Sequence, residues 1–158
     1  MVSKHEGIEI ETETNFKHSK SDSSKRLQAQ HPIELEYWFI LPALRRSVAQ
    51  TLKDEGLKQK QVAKILGITE AGVSQYLKGS RGVLKTKDEK LILFPDWLEK
   101  EVRASCFTIL NDPKDHHTFL KEMNRLLMTI RSRPEDFLCI LHNEYGIVDD
   151  NCDVCINN

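Results

Sequence analysis

Four side chains near the C-terminal end of the sequence have the types and the spacing of metal ligands. Cys152 and Cys155 are separated by two residues, a spacing at which both sulfurs can reach one metal ion from a tight turn. Cys139 and His142 have the same spacing and precede that pair. These four donors could form a zinc site. Alternatively, Cys106 would complete a set of four cysteines for an iron–sulfur cluster.

Two other interpretations of the cysteines stay open. Cys106 and Cys139 lie on the apolar sides of predicted helices, where a free cysteine is commonly a core residue. The terminal pair could instead act as a redox switch. We interpret His116 and His117, at the start of a predicted helix, as surface residues rather than ligands.

No catalytic motif is recognisable. The sequence has no glycine-rich phosphate loop, no His-Glu-x-x-His motif and no serine elbow. The N-terminal thirty residues contain no uninterrupted apolar stretch, and no apolar run approaches the length of about 20 residues that spans a bilayer. We therefore expect a cytoplasmic protein that is not an enzyme and has reduced cysteines.

Basic residues are concentrated in the middle of the chain. Residues 32–90 contain eleven basic and seven acidic side chains, whereas residues 91–158 contain seven basic and twelve acidic ones. Within 57–87, seven cations accompany a single acid, Glu70. This local excess suits a polyanionic partner, and a solvated basic surface is the alternative.

The apolar pattern predicts an all-α fold. Residues 1–31 have too few large apolar side chains to form a core, which predicts a disordered tail. Residues 33–39 fit either a short strand or a helical turn leading into Pro42. The helices predicted after that point are 42–55, 59–66, 70–78, about sixteen residues from 95 or 96, 116–131 and 134–145, with an optional short helix at 87–93 in the basic loop 80–94.

Residues 59–78 have the pattern of a helix-turn-helix. Ala63 is small where a second helix must cross, and Gly67 can adopt the left-handed conformation that a sharp turn requires. Val73 and Tyr76 would hold the two helices at a fixed angle. Thr69 suits the start of the second helix. This arrangement lets the second helix enter the major groove of DNA.

Residues 57–79 also resemble the DNA-binding domain of the phage lambda repressor and Cro superfamily, the XRE-type regulators. More narrowly, residues 41–45 and 80–82 resemble small archaeal transcriptional regulators of that superfamily. The resemblance covers about residues 35–82. It implies a lambda-repressor-like helix-turn-helix domain, followed here by a C-terminal helical extension, with 70–78 as the recognition helix.

The resemblance implies which residues contact DNA. The base-reading positions are Glu70, Ala71, Ser74 and Gln75, and Gln75 suits a bidentate pair with adenine. Glu70 departs from the glutamine of many relatives and either accepts from a cytosine amino group or only stabilises the helix N-terminus. We predict phosphate contacts for a further set: Gln59, Lys58, Lys60, Thr69, Lys78 and Arg81.

The predicted organisation is a tail (1–31), a helix-turn-helix domain (32–90), a helical extension (91–146) and an acidic Cys-x-x-Cys tail (147–158). A single helix-turn-helix reads only about four or five base pairs, so such proteins usually dimerise on double-stranded DNA. The apolar stripes of the extension could form a homodimer interface or simply a core: Trp97, Val102 and Ile109 on one helix, Phe119, Met123, Leu127 and Ile130 on the next.

The predicted function is therefore sequence-specific, DNA-binding transcription regulation. Two alternatives stay open. The first is a protein-interaction adaptor or coactivator built on the same helices. The second is a regulator gated by the metal or redox state of the terminal cysteines.

Overall fold

Helices form nearly all the regular structure of the described residues. The structure is a computed structural model that describes residues 31–112, 116–146 and 152–156. The α-helices are α1 (Pro32–Leu35), α2 (Leu41–Asp54), α3 (Gln59–Leu66), α4 (Glu70–Leu77), α5 (Asp96–Asn111), α6 (His116–Arg131) and α7 (Leu138–Tyr145). Within these ranges there is no strand, and an isolated antiparallel bridge joins Lys85 and Leu91. The all-α prediction is confirmed. No described helix is long and apolar enough to cross a membrane.

The segment before Pro42 is helical, so the strand interpretation of residues 33–39 is wrong. His31 caps α1: its side chain accepts from the backbone N–H of Ile33. A π-helix, Glu36–Ile40, joins α1 to α2, and the N–H of Leu41 reaches back to the carbonyl of Glu36. Pro42 explains this wider turn, because proline has no N–H and its ring crowds the carbonyl four residues earlier. The rest of the predicted tail lies outside the described residues.

Two further predictions of local structure are wrong. Residues 87–93 form no helix; Ile92 donates to the carbonyl of Leu84, and Thr86 to that of Lys90, which closes a short hairpin. The last predicted helix is divided into a 3-10 turn, Pro134–Asp136, and α7. The break lies at Phe137, whose backbone leaves the helical region so that its ring can pack edge-on against Phe94 in the core.

One hydrophobic core includes residues from α1 to Cys155. This core contains both apolar stripes that we considered for a dimer interface. The alternative interpretation, that the stripes form the core of the protomer, is therefore correct. Five of these side chains are buried, and the other two, Trp97 and Leu127, are partly buried and packed against the core. The buried members are Val102, Ile109, Phe119, Met123 and Ile130.

Polar contacts also join the N-terminal half to the last helices. The Tyr145 hydroxyl donates to the carbonyl of Lys85 at 2.6 Å and accepts from its N–H at 2.7 Å, and the Tyr145 ring stacks on Phe39. Arg131 donates two hydrogen bonds to the buried carboxylate of Glu36. These contacts connect positions 60 and 95 residues apart in the sequence.

Candidate functional site

The turn between α3 and α4 has the predicted backbone geometry. Gly67 ends α3 in the left-handed region with φ +66°. Its N–H and that of Ile68 donate to the carbonyls of Lys64 and Ala63, which satisfies the end of the helix. Thr69 then caps α4, because its hydroxyl accepts from the N–H of Gly72 at 3.0 Å. Both local predictions, the glycine turn and the threonine cap, are confirmed.

Buried side chains hold α4 against its neighbours. Val73 and Tyr76 are 0% and 1% exposed, and Ala63 on α3 is buried in the same core. Helix α4 contacts both α2 and α3. The orientation of α4 is thus fixed by packing on its inner face, which leaves its outer face free for other contacts.

The outer face of α4 presents the predicted base-reading residues together. Glu70, Ala71 and Gln75 are exposed, and Ser74 is half-buried. Their spacing along the helix brings these four positions onto one side, because residues three and four apart are neighbours on a helix surface. A donor and acceptor amide, a hydroxyl and a carboxylate therefore form one polar face.

Gln59 connects the starts of the two helices. Its side-chain amide donates to the backbone carbonyl of Glu70 at 2.7 Å. This bond uses one of the two amide hydrogens, so the second hydrogen can still reach an external acceptor such as a phosphate oxygen. Gln59 is thus a residue that positions α4, a role that the sequence alone did not predict.

Exposed lysines lie on α3 and at the ends of α3 and α4. Lys58, Lys60, Lys64 and Lys78 are exposed, and none forms an ion pair with another described residue. Arg81 lies over the ring of Tyr76, 5.2 Å from its centroid. The positive charge next to α4 is therefore not neutralised by neighbouring acids in the described part of the chain.

Two lysines of the basic segment are engaged elsewhere. Lys85 forms an ion pair with Glu89 at 2.9 Å. Lys87 donates from Nζ to the backbone carbonyl of Asn143 and from its N–H to Glu144. The Lys85 charge is thus paired within the hairpin and the Lys87 charge is held against α7, so the count of charges in residues 57–87 overstates the cationic surface available to a partner.

His116 is exposed, as predicted for a surface residue, but it also supports the turn. Its Nδ1 lies 2.7 Å from the carbonyl oxygen of Ile65, near the end of α3. Because a carbonyl only accepts, Nδ1 carries the proton of this bond. The ring also covers Gly67, where a Cβ atom would lie 2.5 Å from Cε1 of His116. Helix α6 thus contacts the α3–α4 unit through this side chain.

Among the predicted metal ligands, Cys155 lies beside two others. Nδ1 of His142 is 3.2 Å from Sγ of Cys155, and Cys139 lies close enough to Cys155 for the two thiols to influence each other's pKa. Cys152 is near enough to act electrostatically on both Cys139 and Cys155. Cys106 is not brought to this group, since its thiol is buried next to Thr51 on α2.

Burial favours the protonated form of two thiols in this group, Cys139 and Cys155. Burial is the main cause that raises the pKa of Cys155 to about 12, and the neighbouring Cys139 and Cys152 raise it further. Burial likewise raises the pKa of Cys139. In the described ranges, no three His, Cys, Asp or Glu side chains lie in positions that could hold a metal ion without rearrangement. The four cysteines are free thiols.

Comparisons with known proteins add no family to this description. No protein-family model, curated protein or solved structure matches the chain.

Proposed function

We propose that this chain is a sequence-specific, DNA-binding transcription regulator with a lambda-repressor-like helix-turn-helix, and that α4 enters the major groove. The observation that carries the proposal is the outer face of α4, where Glu70, Ala71, Ser74 and Gln75 lie together beside lysines that have no ion-pair partner in the described residues. Such a face combines groups that read base edges with groups that bind phosphates.

Different residues are suited to the base contacts and to the phosphate contacts. Gln75 presents an amide that can donate and accept at once, as an adenine edge requires. Lys58, Lys60 and Lys78 supply charge without sequence preference, and the free amide hydrogen of Gln59 reaches a phosphate beside α3. Glu70 lies at the N-terminus of α4, where its charge also favours the helix dipole.

The proposed regulator acts as a cytoplasmic homodimer. One α4 reads too few base pairs to specify a site, and two copies related by two-fold symmetry would read a palindrome. Because the apolar stripes of α5 and α6 pack in the core of the protomer, the dimer would use another surface.

The test is a binding selection from random duplex DNA, followed by titration of the enriched duplex and a scrambled duplex at several salt concentrations. We expect a two-fold symmetric site to be enriched. We also expect log K to fall linearly with log salt, because each neutralised phosphate contributes a slope of about −0.9. Failure to enrich any sequence, with and without added metal, would contradict the proposal and favour the adaptor alternative.

A further inference from the structure

We propose that Cys139, His142, Cys152 and Cys155 bind one zinc ion, which fastens residues 152–155 to α7. This inference is independent of the proposed DNA interface, because none of these residues lies on α3 or α4.

His142 is a buried imidazole with few polar contacts. It is 2% exposed, and its Nε2 is buried without a hydrogen-bond partner among the described residues. Its Nδ1 contacts only the thiol of Cys155, a weak hydrogen-bonding group. A buried polar atom with so weak a partner is costly, and a metal ion bound at Nδ1 would give the neutral imidazole a stronger partner than the thiol.

The distance between the two donors fits one shared ion. Zinc lies about 2.3 Å from a cysteine sulfur and about 2.0–2.1 Å from a histidine nitrogen. With tetrahedral angles, these bond lengths place the sulfur and the nitrogen about 3.6 Å apart. Nδ1 of His142 and Sγ of Cys155 are 3.2 Å apart, so the pair needs to open by only a few tenths of an ångström.

The two remaining donors lie next to this pair. Cys139 precedes His142 by three positions on α7, so both project from the same side of the helix, and Cys139 lies close enough to Cys155 to influence its pKa. Cys152 is half-buried and lies close enough to Cys139 and Cys155 to raise the pKa of each. The proposed site requires rotation about the Cα–Cβ bonds of Cys139 and Cys152 to turn their sulfurs toward the ion.

The donor set favours zinc among the common metals. Three thiolates and one imidazole are the ligands of a closed, four-coordinate structural zinc site. A four-cysteine iron–sulfur cluster would need Cys106, which instead contacts Thr51 on α2. Binding is a ligand exchange without oxidation: the three thiols release their protons to solvent, and the hydrated ion releases its waters.

The test uses the full chain, reduced and exposed to zinc, with loosely held metal then removed. We expect one zinc ion per chain by elemental analysis, and X-ray absorption that reports three sulfurs at about 2.3 Å and one nitrogen at about 2.0–2.1 Å. Cobalt(II) in its place should give the absorption of a tetrahedral, thiolate-bound ion. No bound metal, an octahedral cobalt spectrum, a shell of oxygen ligands or an iron–sulfur chromophore would each overturn the proposal.

Paired cysteine variants locate the site. Cys152→Ser removes a half-buried ligand and should weaken zinc binding by more than about tenfold, the lower end of the loss observed for outer-shell partners. Cys106→Ala removes a thiol that lies outside the group and should keep one zinc ion per chain. Equal zinc affinity in Cys152→Ser and the wild type would overturn the assignment. The absorption measurements on the wild type decide the question even if a variant does not fold.

Discussion

The contact between Gly67 and His116 illustrates how single residues fix the proposed DNA-binding unit. Gly67 has φ +66°, and the imidazole of His116 lies against the position that a Cβ would occupy. The same ring donates to the carbonyl of Ile65, one of the carbonyls at the end of α3 that has no partner within the helix. The turn therefore depends on a glycine for both its dihedral angle and its space.

At this scale we predict the effect of Gly67→Ala on stability. The left-handed conformation costs alanine about 1–2 kcal/mol. Displacement of the His116 ring should add about 1 kcal/mol through the lost hydrogen bond. The free energy of unfolding, from urea denaturation followed by circular dichroism, should therefore fall by about 2–3 kcal/mol.

His116→Ala provides the control for this prediction. In that background the ring is absent, so Gly67→Ala should cost only its conformational share, about 1–2 kcal/mol. Costs that add fully in the double variant would show that the ring and the glycine do not interact.

The sequence predicted the residues of this turn but not their partner. Gly67 and Thr69 act through their own backbone and the next few residues, so their types and positions are sufficient to predict them. His116 is 51 positions away from the carbonyl that it contacts, and no local pattern reports such a pairing. The same reason explains why the bond from Gln59 to Glu70 was missed.

At the scale of elements, the loop after α4 docks on α2 through Gly82. Gly82 has φ +75°, and a Cβ there would overlap the backbone carbonyl of Pro42 and touch Cβ of Arg46. Backbone atoms in a helix cannot move aside as a flexible side chain can. This close approach is therefore where the loop is most sensitive to added volume.

A matched pair of variants tests the docking of the loop. Gly56→Ala has an unfavourable φ of +92° but open space around it, whereas Gly82→Ala has both the unfavourable φ and the overlap. Both should lose about 1–2 kcal/mol for the dihedral angle. Gly82→Ala should lose about 1–3 kcal/mol more through overpacking. Equal unfolding free energies for the two variants would mean that the loop does not approach α2 this closely.

Helix boundaries were largely predictable, and irregular elements were not. The sequence predicted α3 to the residue, and the helix from Pro95–Asp96 and the helix at 116 were also correct, because their caps and apolar spacing are local. The π-helix before Pro42 and the break at Phe137 were missed. The π-helix arises because Pro42 lacks a backbone N–H, and the break arises because the Phe137 ring packs against Phe94.

At the scale of the whole molecule, the proposed DNA-binding unit and the last helices are mechanically connected. They share one core, and Tyr145 and Arg131 form hydrogen bonds to residues of the N-terminal half. Charge is nevertheless distributed unevenly, because residues 32–90 have a basic excess and residues 91–158 an acidic one. Such a distribution would orient the molecule toward a polyanion with its basic side first.

The most direct test of the central claim is a fluorescence anisotropy titration of the selected duplex and its scrambled counterpart with four proteins: the wild type, Gln75→Ala, Lys78→Ala and Lys121→Ala. Lys121 is an exposed lysine on α6, outside the proposed helix-turn-helix, and serves as the matched control for Lys78. We predict that Gln75→Ala loses about 1–3 kcal/mol on the selected duplex only, because it removes a base contact.

Lys78→Ala should weaken binding to both duplexes and reduce the salt slope by about 1, whereas Lys121→Ala should change neither. That combination would establish α4 as the helix that reads DNA. Unchanged selectivity in Gln75→Ala, together with equal effects of the two lysine variants, would contradict the account.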